Sequence, residues 1–203
     1  MTPGALADRA RALQQEAGRR ILIGITGKPG AGKSTIAERL VADLGSAAVL
    51  VPMDGFHLPQ ATLVRLGRRD RMGAPDTFDV ASYVDLLVLL RSAAPVTAPG
   101  FDRVVEEPVA GAITIPAEVD IVVTEGNYLL TGTGGWERVR PLLDAVWYVD
   151  LDDDVRLERL IARHHAFGKT LEAATAWANG PDAANAAVIA ATSDRADLVI
   201  ANK

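Results

Sequence analysis

The chain has 203 residues, of which 49% are hydrophobic and none is cysteine, and its formal net charge is −5. Domains run roughly 100–200 residues, so we expect one domain over 1–203, and the apolar content argues against disorder. The acidic balance argues against nucleic acid or an anionic membrane as a partner, because both require a basic face. The lack of cysteine excludes disulfides and thiolate metal sites. Without a signal-like or membrane-spanning apolar run, we expect a cytoplasmic location.

Short β-branched apolar runs predict strands buried on both faces, and apolar residues at helical spacing predict helices. In chain order, strands are predicted at 21–26, 47–51, 121–124, 145–149 and 198–200. Helices are predicted at 6–19, 33–44, 80–90, 153–167 and 183–191. This alternation predicts an α/β three-layer sandwich with a central, mainly parallel sheet of about five strands. Segments 55–77 and 95–116 lack a regular pattern, and loops of this length are usually functional.

Residues 27–34 read Gly-Lys-Pro-Gly-Ala-Gly-Lys-Ser and match G-x-x-x-x-G-K-[ST] between a predicted strand and a predicted helix. Glycines let backbone N–H groups turn inward around phosphates, and the helix N-terminus adds its positive end. Lys33 would contact the β- and γ-phosphates, and the Ser34 hydroxyl would ligate Mg²⁺. The alternative is a glycine-rich turn without a ligand. The predicted nucleotide-binding residues of this P-loop are Gly27, Lys28, Pro29, Gly30, Ala31, Gly32, Lys33, Ser34 and Thr35.

Acidic residues follow three of the predicted strands. Asp54 follows the second strand, where a carboxylate could accept the proton of a substrate hydroxyl, but Asp-Gly is also an ordinary turn pair. Glu125 and Asp150 end the next two strands and compete for the role of Mg²⁺ partner. Because Asp150, Asp152 and Asp153 directly precede a predicted helix, we interpret them as capping it.

The predicted helix at 153–167 carries arginines on one face. Arg156, Arg159 and Arg163 are spaced i, i+3 and i+7, so they could close over a triphosphate as a lid. The alternative is a solvated face. His164 and His165 have no third ligand nearby, so we interpret them as surface residues rather than a metal site.

Together these segments resemble the uridine kinase, phosphoribulokinase and bacterial pantothenate kinase superfamily over nearly the whole chain. The P-loop matches first, and the other matching segments are 54–57 (Asp-Gly-Phe-His), 73–79 (Gly-Ala-Pro-Asp-Thr-Phe-Asp), 99–103 (Pro-Gly-Phe-Asp-Arg), 125–126 (Glu-Gly) and the lid helix at 156–164. Phe101 replaces a tyrosine of the family pattern, and His164 replaces a common aspartate. Within the superfamily, the chain resembles a compact bacterial branch of nucleoside kinase-like, fructose-transport-associated and pantothenate kinase-like proteins.

The resemblance implies a P-loop NTPase fold and ATP-dependent transfer of the γ-phosphoryl group to a hydroxyl of a small metabolite. It implies Asp54 as the base, Glu125 rather than Asp150 beside Mg²⁺, and Arg159 and Arg163 on the phosphates. Lys33, Asp54 and Arg163 are then the catalytic residues, while Ser34 and Glu125 hold the metal. A nucleoside-like acceptor is favoured, with a sugar or pantothenate as alternatives.

The acceptor pocket is expected from elaborations at 55–79 and 95–118, under a lid helix around 153–169. Its predicted residues are Asp54, His57, Arg71, Asp76, Tyr83, Phe101, Arg103, Glu125 and Asn127. The sequence leaves open the acceptor, the choice between ATP and GTP, and the oligomeric state, a homodimer included.

A function of another class is a GTP-hydrolysing switch or metallochaperone. Such a protein should carry an Asn-Lys-x-Asp-like segment that reads guanine after a strand. The last predicted strand runs into Asn202-Lys203 with no following aspartate, which argues against this alternative.

Overall fold

A computed structural model gives the structure over residues 3–92 and 94–202. Met1, Thr2, Ala93 and Lys203, which belong to the predicted domain 1–203, lie outside the described residues. The strands are β1 Ile21–Gly27, β2 Ala48–Pro52, β3 Val96–Asp102, β4 Glu107–Ile115, β5 Ile121–Glu125, β6 Ala145–Asp150 and β7 Leu198–Ala201. The helices are α1 Pro3–Ala17, α2 Lys33–Leu44, α3 Gln60–Arg65, α4 Val80–Leu90, α5 Asp153–Ala166, α6 Leu171–Trp177 and α7 Ala183–Ala190. None of them, within this described part, is long and apolar enough to cross a membrane.

The central sheet has five parallel strands in the order β2-β5-β1-β6-β7. Every residue of β1 and β5 is buried, which explains their continuous apolar sequences. Ile21, Ile23 and Ile25 pack with α1 and α2 on one face, while Leu22 packs with α4 and α7 on the other. The predicted fold class, an α/β three-layer sandwich around a parallel sheet, is confirmed.

The strand order brings the candidate site residues to one edge of the sheet. Parallel strands place their carboxyl ends at the same edge, where α/β proteins bind ligands. The P-loop follows β1, Asp54 follows β2, and Glu125 ends β5. Because β5 lies between β2 and β1, Glu125 is flanked by the other two.

The segment 95–116 is not an irregular loop, as the sequence suggested. It contains an antiparallel hairpin, β3–β4, which forms a separate sheet and has a register shift between Ala98 and Gly100. Most of its positions are exposed or half-buried, so the sequence lacks the apolar run of a buried strand. The short helices α3 and α6, and a π-helical turn at Ala178–Asp182 between α6 and α7, were also absent from the prediction.

Candidate active site

The P-loop connects β1 to α2, and residues from other segments of the chain hold it in place. Gly30 has φ 82°, and a Cβ there would lie 2.9 Å from the Arg156 carbonyl oxygen, so glycine is required. Arg156 Nη1 donates to the Pro29 carbonyl (3.3 Å), and Asn202 Nδ2 donates to the Ala31 carbonyl (2.8 Å). Gly32 begins α2 without a side-chain cap. The first N–H groups of a helix have no intrahelical partner, so they are available to an anion here.

Lys33 is the buried cation of this loop. Its side chain is 8% exposed, and its Nζ donates to the Lys28 carbonyl oxygen (3.1 Å). Burial lowers the pKa of Lys33 to about 8, although Glu125 and Asp54 act in the opposite direction. A phosphate bound beside Lys33 would add negative charge and favour the protonated amine. The side chain of Lys28 instead pairs with Asp153 (2.8 Å), which leaves only its backbone for phosphate binding.

Ser34 and Glu125 provide oxygen atoms suited to Mg²⁺. The Ser34 hydroxyl donates to Glu125 Oε1 (3.1 Å), and Glu125 is 5% exposed. Burial and the nearby Asp54 raise the pKa of Glu125, while Lys33 and Ser34 oppose that rise. In the described residues there is no group of three or more His, Cys, Asp or Glu that could hold a metal. Mg²⁺ often takes one or two protein ligands together with phosphate oxygens and water, and Ser34 with Glu125 fits that pattern.

Two acidic residues at the start of α5, Asp152 and Asp153, have structural roles. Asp152 caps the helix, since its carboxylate accepts from the N–H groups of Asp154 (3.0 Å) and Val155 (3.4 Å). This contact confirms capping for Asp152. Asp153 instead bridges Lys28 and Arg156, each at 2.8 Å.

Asp54 is paired with an arginine from the β3–β4 hairpin. Arg103 Nη2 lies 2.9 Å from Asp54 Oδ2. A Cβ on Gly55 would lie 2.3 Å from the Pro99 carbonyl oxygen, so only glycine lets the hairpin approach this closely. The Asp-Gly pair therefore does more than make a turn, because Gly55 allows the contact that brings Arg103 to Asp54.

Two cavities meet at the P-loop. The large cavity, of about 1140 Å³, extends along α2 to Phe167 and Asn202, and Thr35 lines it. The small cavity, of about 210 Å³, lies on the side of Asp54. Five residues line both cavities: Gly30, Lys33, Ser34, Arg103 and Arg163. A group transferred from one cavity to the other would pass between these residues.

Most of the predicted acceptor residues line the small cavity. They are Asp54, His57, Phe101, Arg103, Glu125 and Asn127. Tyr83 requires correction, because it is fully buried and its hydroxyl lies 2.7 Å from Thr124 Oγ1 in the core. Arg71 and Asp76 form an exposed ion pair outside the lining of either cavity.

His57 forms an aromatic wall of the small cavity. Its ring lies between those of Phe78 (4.0 Å between centroids) and Phe101 (4.7 Å). Burial lowers the pKa of His57, which favours the neutral imidazole. Its Nδ1 lies 2.9 Å from the Asp54 carbonyl oxygen, and a carbonyl only accepts, so Nδ1 carries the proton. Nε2 is then an acceptor.

The arginines of α5 divide into two groups. Arg156 is buried and bonded to Asp153 and the P-loop. Arg159 and Arg163 line the large cavity, and Arg163 also lines the small one. His164 is not a surface residue as predicted: its side chain is 16% exposed and its Nε2 lies 2.7 Å from Asp182 Oδ2.

One wall of the small cavity was not predicted from the sequence. It comes from residues after α5, namely Lys169, Trp177, Asp182 and Asn185. The surrounding sequence is rich in alanine and carries no recognised motif. The sequence feature that could have indicated this wall is Pro181, which is followed directly by an acidic residue within a helical stretch.

Comparisons with known proteins identify the family and the fold. A sequence profile of the Phosphoribulokinase / Uridine kinase family matches residues 22–203. The chain is 33% identical to "Putative uridine kinase C227.14" of Schizosaccharomyces pombe over 161 residues, 74% of this chain and 68% of that protein. It is 34% identical to a pantothenate kinase of Leifsonia xyli over 159 residues, 74% of this chain and 47% of that protein. A crystal structure of a "putative fructose transport system kinase" from Silicibacter sp. TM1040 superposes with a TM-score of 0.89 and 35% identity, covering 98% of this chain and 99% of that one.

Proposed function

The chain belongs to the phosphoribulokinase / uridine kinase family, and from that premise we propose that it transfers the γ-phosphoryl group of ATP to a hydroxyl of a small metabolite. The observation that carries this proposal is the meeting of two cavities at Lys33, with Asp54 on the side of the small cavity. ATP occupies the large cavity and the acceptor occupies the small one. A protein that only hydrolyses a nucleotide needs no second cavity with a carboxylate.

The residues have complementary tasks in this transfer. The Asp54 carboxylate takes the proton of the acceptor hydroxyl, whose oxygen then forms the new bond to the γ-phosphorus. The bond from that phosphorus to the β–γ bridging oxygen breaks, so ADP leaves with the electron pair. Lys33 and Arg163 stabilise the negative charge on the transferring group. Mg²⁺, held by Ser34 and Glu125, would neutralise charge on the phosphates.

Arg103 holds Asp54 in place for this role. Its ion pair occupies one carboxylate oxygen, which orients Asp54 and leaves the other oxygen for the hydroxyl. Because Arg103 lines both cavities, it also adds positive charge near the γ-phosphate.

For the acceptor, a nucleoside-like compound remains the favoured proposal, supported by the relative named as a uridine kinase. A sugar is supported by the structural neighbour named as a fructose transport system kinase. Pantothenate is supported by a relative that the chain covers for 47% of its length.

The proposed function is tested by ADP release with ATP, Mg²⁺ and a panel of uridine, cytidine, D-ribose, D-fructose, D-glycerate and pantothenate. We expect at least one acceptor to raise the rate well above the acceptor-free baseline. Phosphorus NMR should then show a new phosphate ester. ADP release that no member of the panel increases, with inorganic phosphate as the product, would favour a hydrolase instead.

The Arg163→Ala variant should lower turnover far more than it weakens ATP binding. A cation at the junction of the cavities acts mainly on charge that develops during transfer, and losing one such donor costs roughly 3–4 kcal/mol. Steady-state kinetics and calorimetric titration with ATP separate the two effects. Arg138→Ala is the control, since Arg138 is exposed and lines neither cavity. If turnover of Arg163→Ala is unchanged, the arginines of α5 form a solvated face and not a lid.

A further inference from the structure

The wall that the α6–α7 segment contributes to the small cavity contains two buried polar side chains. Asp182 and Asn185 are each 8% exposed, and both line the cavity. They lie three residues apart at the start of α7, so they share one helix face. Asp182 ends the π-helical turn Ala178–Asp182, and such turns are rare and frequently occur at functional sites.

Both side chains keep an oxygen that can accept a hydrogen bond. Asp182 Oδ2 accepts from His164 Nε2 (2.7 Å), and Asn185 Nδ2 donates a long bond to the Gly73 carbonyl (3.4 Å). Within the described residues, no hydrogen bond reaches Asp182 Oδ1 or Asn185 Oδ1. Neither oxygen is among the fully buried side-chain atoms without a partner. Because both residues line the small cavity, these oxygens are accessible to a ligand that donates hydrogen bonds.

Three of the five lysines and arginines that line the small cavity are already engaged, and the other two, Lys33 and Arg163, are assigned to the phosphates of ATP. Arg103 pairs with Asp54, and Arg69 pairs with Glu106. Lys169 Nζ lies 4.6 Å from the centre of the Trp177 ring, in a cation–π contact. A carboxylate or phosphate on the acceptor would therefore compete for these cations.

A carboxylate or phosphate on the acceptor would also face the negative charge of Asp182. The cavity volume of about 210 Å³ is below the roughly 300–1,000 Å³ typical of small-molecule sites, which favours a compact ligand.

We propose that Asp182 and Asn185 bind hydroxyl groups of the acceptor and select an uncharged polyol, a sugar or the ribose of a nucleoside, over an acceptor that carries a carboxylate. This inference rests on the proposed function, because it takes the ligand to be the acceptor of the phosphoryl group. His164 is a positioning residue, because its contact orients the Asp182 carboxylate. The opposite end of the acceptor presents its reacting hydroxyl to Asp54.

The test is direct binding to the full chain, measured by thermal shift and calorimetry with uridine, D-ribose, D-fructose, pantothenate and D-glycerate at millimolar concentrations. We expect at least one polyol to bind the wild type more tightly than either acid. Asp182→Ala and Asn185→Ala should each weaken that binding by about tenfold or more, since each loses a buried hydrogen bond to ligand. Asn179→Ala is the matched control, because Asn179 lies in the same π turn, its Nδ2 donates to the Thr175 carbonyl (2.9 Å), and it is outside the lining of the small cavity.

Several results would overturn the inference: no polyol binds, an acid binds best, or Asn185→Ala binds the polyol as the wild type does. A purely structural Asp182–His164 contact predicts that His164→Ala reproduces Asp182→Ala while Asn185→Ala is silent. If Asp182→Ala does not fold, Asn185→Ala decides alone. A polyol that binds through these residues without raising ADP release would refute the kinase proposal and leave the binding site standing.

Discussion

Replacing Lys33 by alanine should abolish phosphoryl transfer while the fold persists. Lys33 is a buried cation at the junction of both cavities, where it would contact the β- and γ-phosphates. Losing one such electrostatic contact costs on the order of 10²–10³ in turnover, and phosphate binding should weaken as well. The measurement is ADP release with the best acceptor.

The fold of this variant should survive because burial already opposes the charge of Lys33. The raised pKa of Glu125 also lets that carboxyl take up a proton once its cationic neighbour is gone. Circular dichroism checks the fold. Lys28→Ala is the matched control, since the Lys28 side chain pairs with Asp153 and lines neither cavity. Near-normal turnover in a folded Lys33→Ala variant would contradict the nucleotide site.

Asp54→Asn should lower transfer by a factor on the order of 10²–10⁴, the usual range for losing a general base. The amide keeps the shape of the side chain but cannot take the proton of the acceptor hydroxyl. ATP affinity should hold or increase slightly, because a negative charge near the γ-phosphate is removed and Arg103 loses its ionic partner. Acceptor-free hydrolysis should change much less. Kinetics with and without acceptor, together with ATP titration, measure all three quantities.

Asp76→Asn is the control for that substitution, since Asp76 pairs with Arg71 at an exposed site outside the cavities. Equal losses of transfer and hydrolysis in Asp54→Asn would assign Asp54 to Mg²⁺ instead of the acceptor. No loss of either would leave Asp54 as a turn residue only. The comparison therefore also separates a kinase from a nucleotide-hydrolysing switch.

The central sheet and the P-loop could be predicted because their signals are local. A strand buried on both faces is a largely apolar run, as in Ile21–Gly27, and the P-loop is one contiguous segment. Strand order is set by pairing between distant segments, so the sequence could not show that β5 separates β2 from β1. The sequence pattern left Glu125 and Asp150 as competing Mg²⁺ partners. The family resemblance favours Glu125, and its contact with Ser34 supports that prediction.

The acceptor side was harder to predict because its residues come from separate, partly exposed segments. The hairpin strand Val96–Asp102 contains Pro99 and Gly100, which obscure a strand pattern. Tyr83 has the side chain of a binding residue, yet apolar neighbours along α4 place it in the core. Asp182 and Asn185 line the same cavity as the P-loop only because of tertiary packing, and no spacing in the sequence connects them to it.

The β3–β4 hairpin has an evolutionary consequence. Its backbone ladder is internal to a sheet of two strands, so an insertion or substitution near its tip, at residues 104–106, removes no hydrogen bond from the five-stranded sheet and leaves Arg103 in place. If the proposed function holds, lineages can therefore lengthen or replace this tip and change which metabolite is accepted, while the P-loop that would bind the nucleotide stays under its own selection. Gly55 limits this freedom, because the hairpin backbone at Pro99 must still pass against it. Descendants of such a chain would be expected to diverge in the metabolite they use sooner than in the nucleotide.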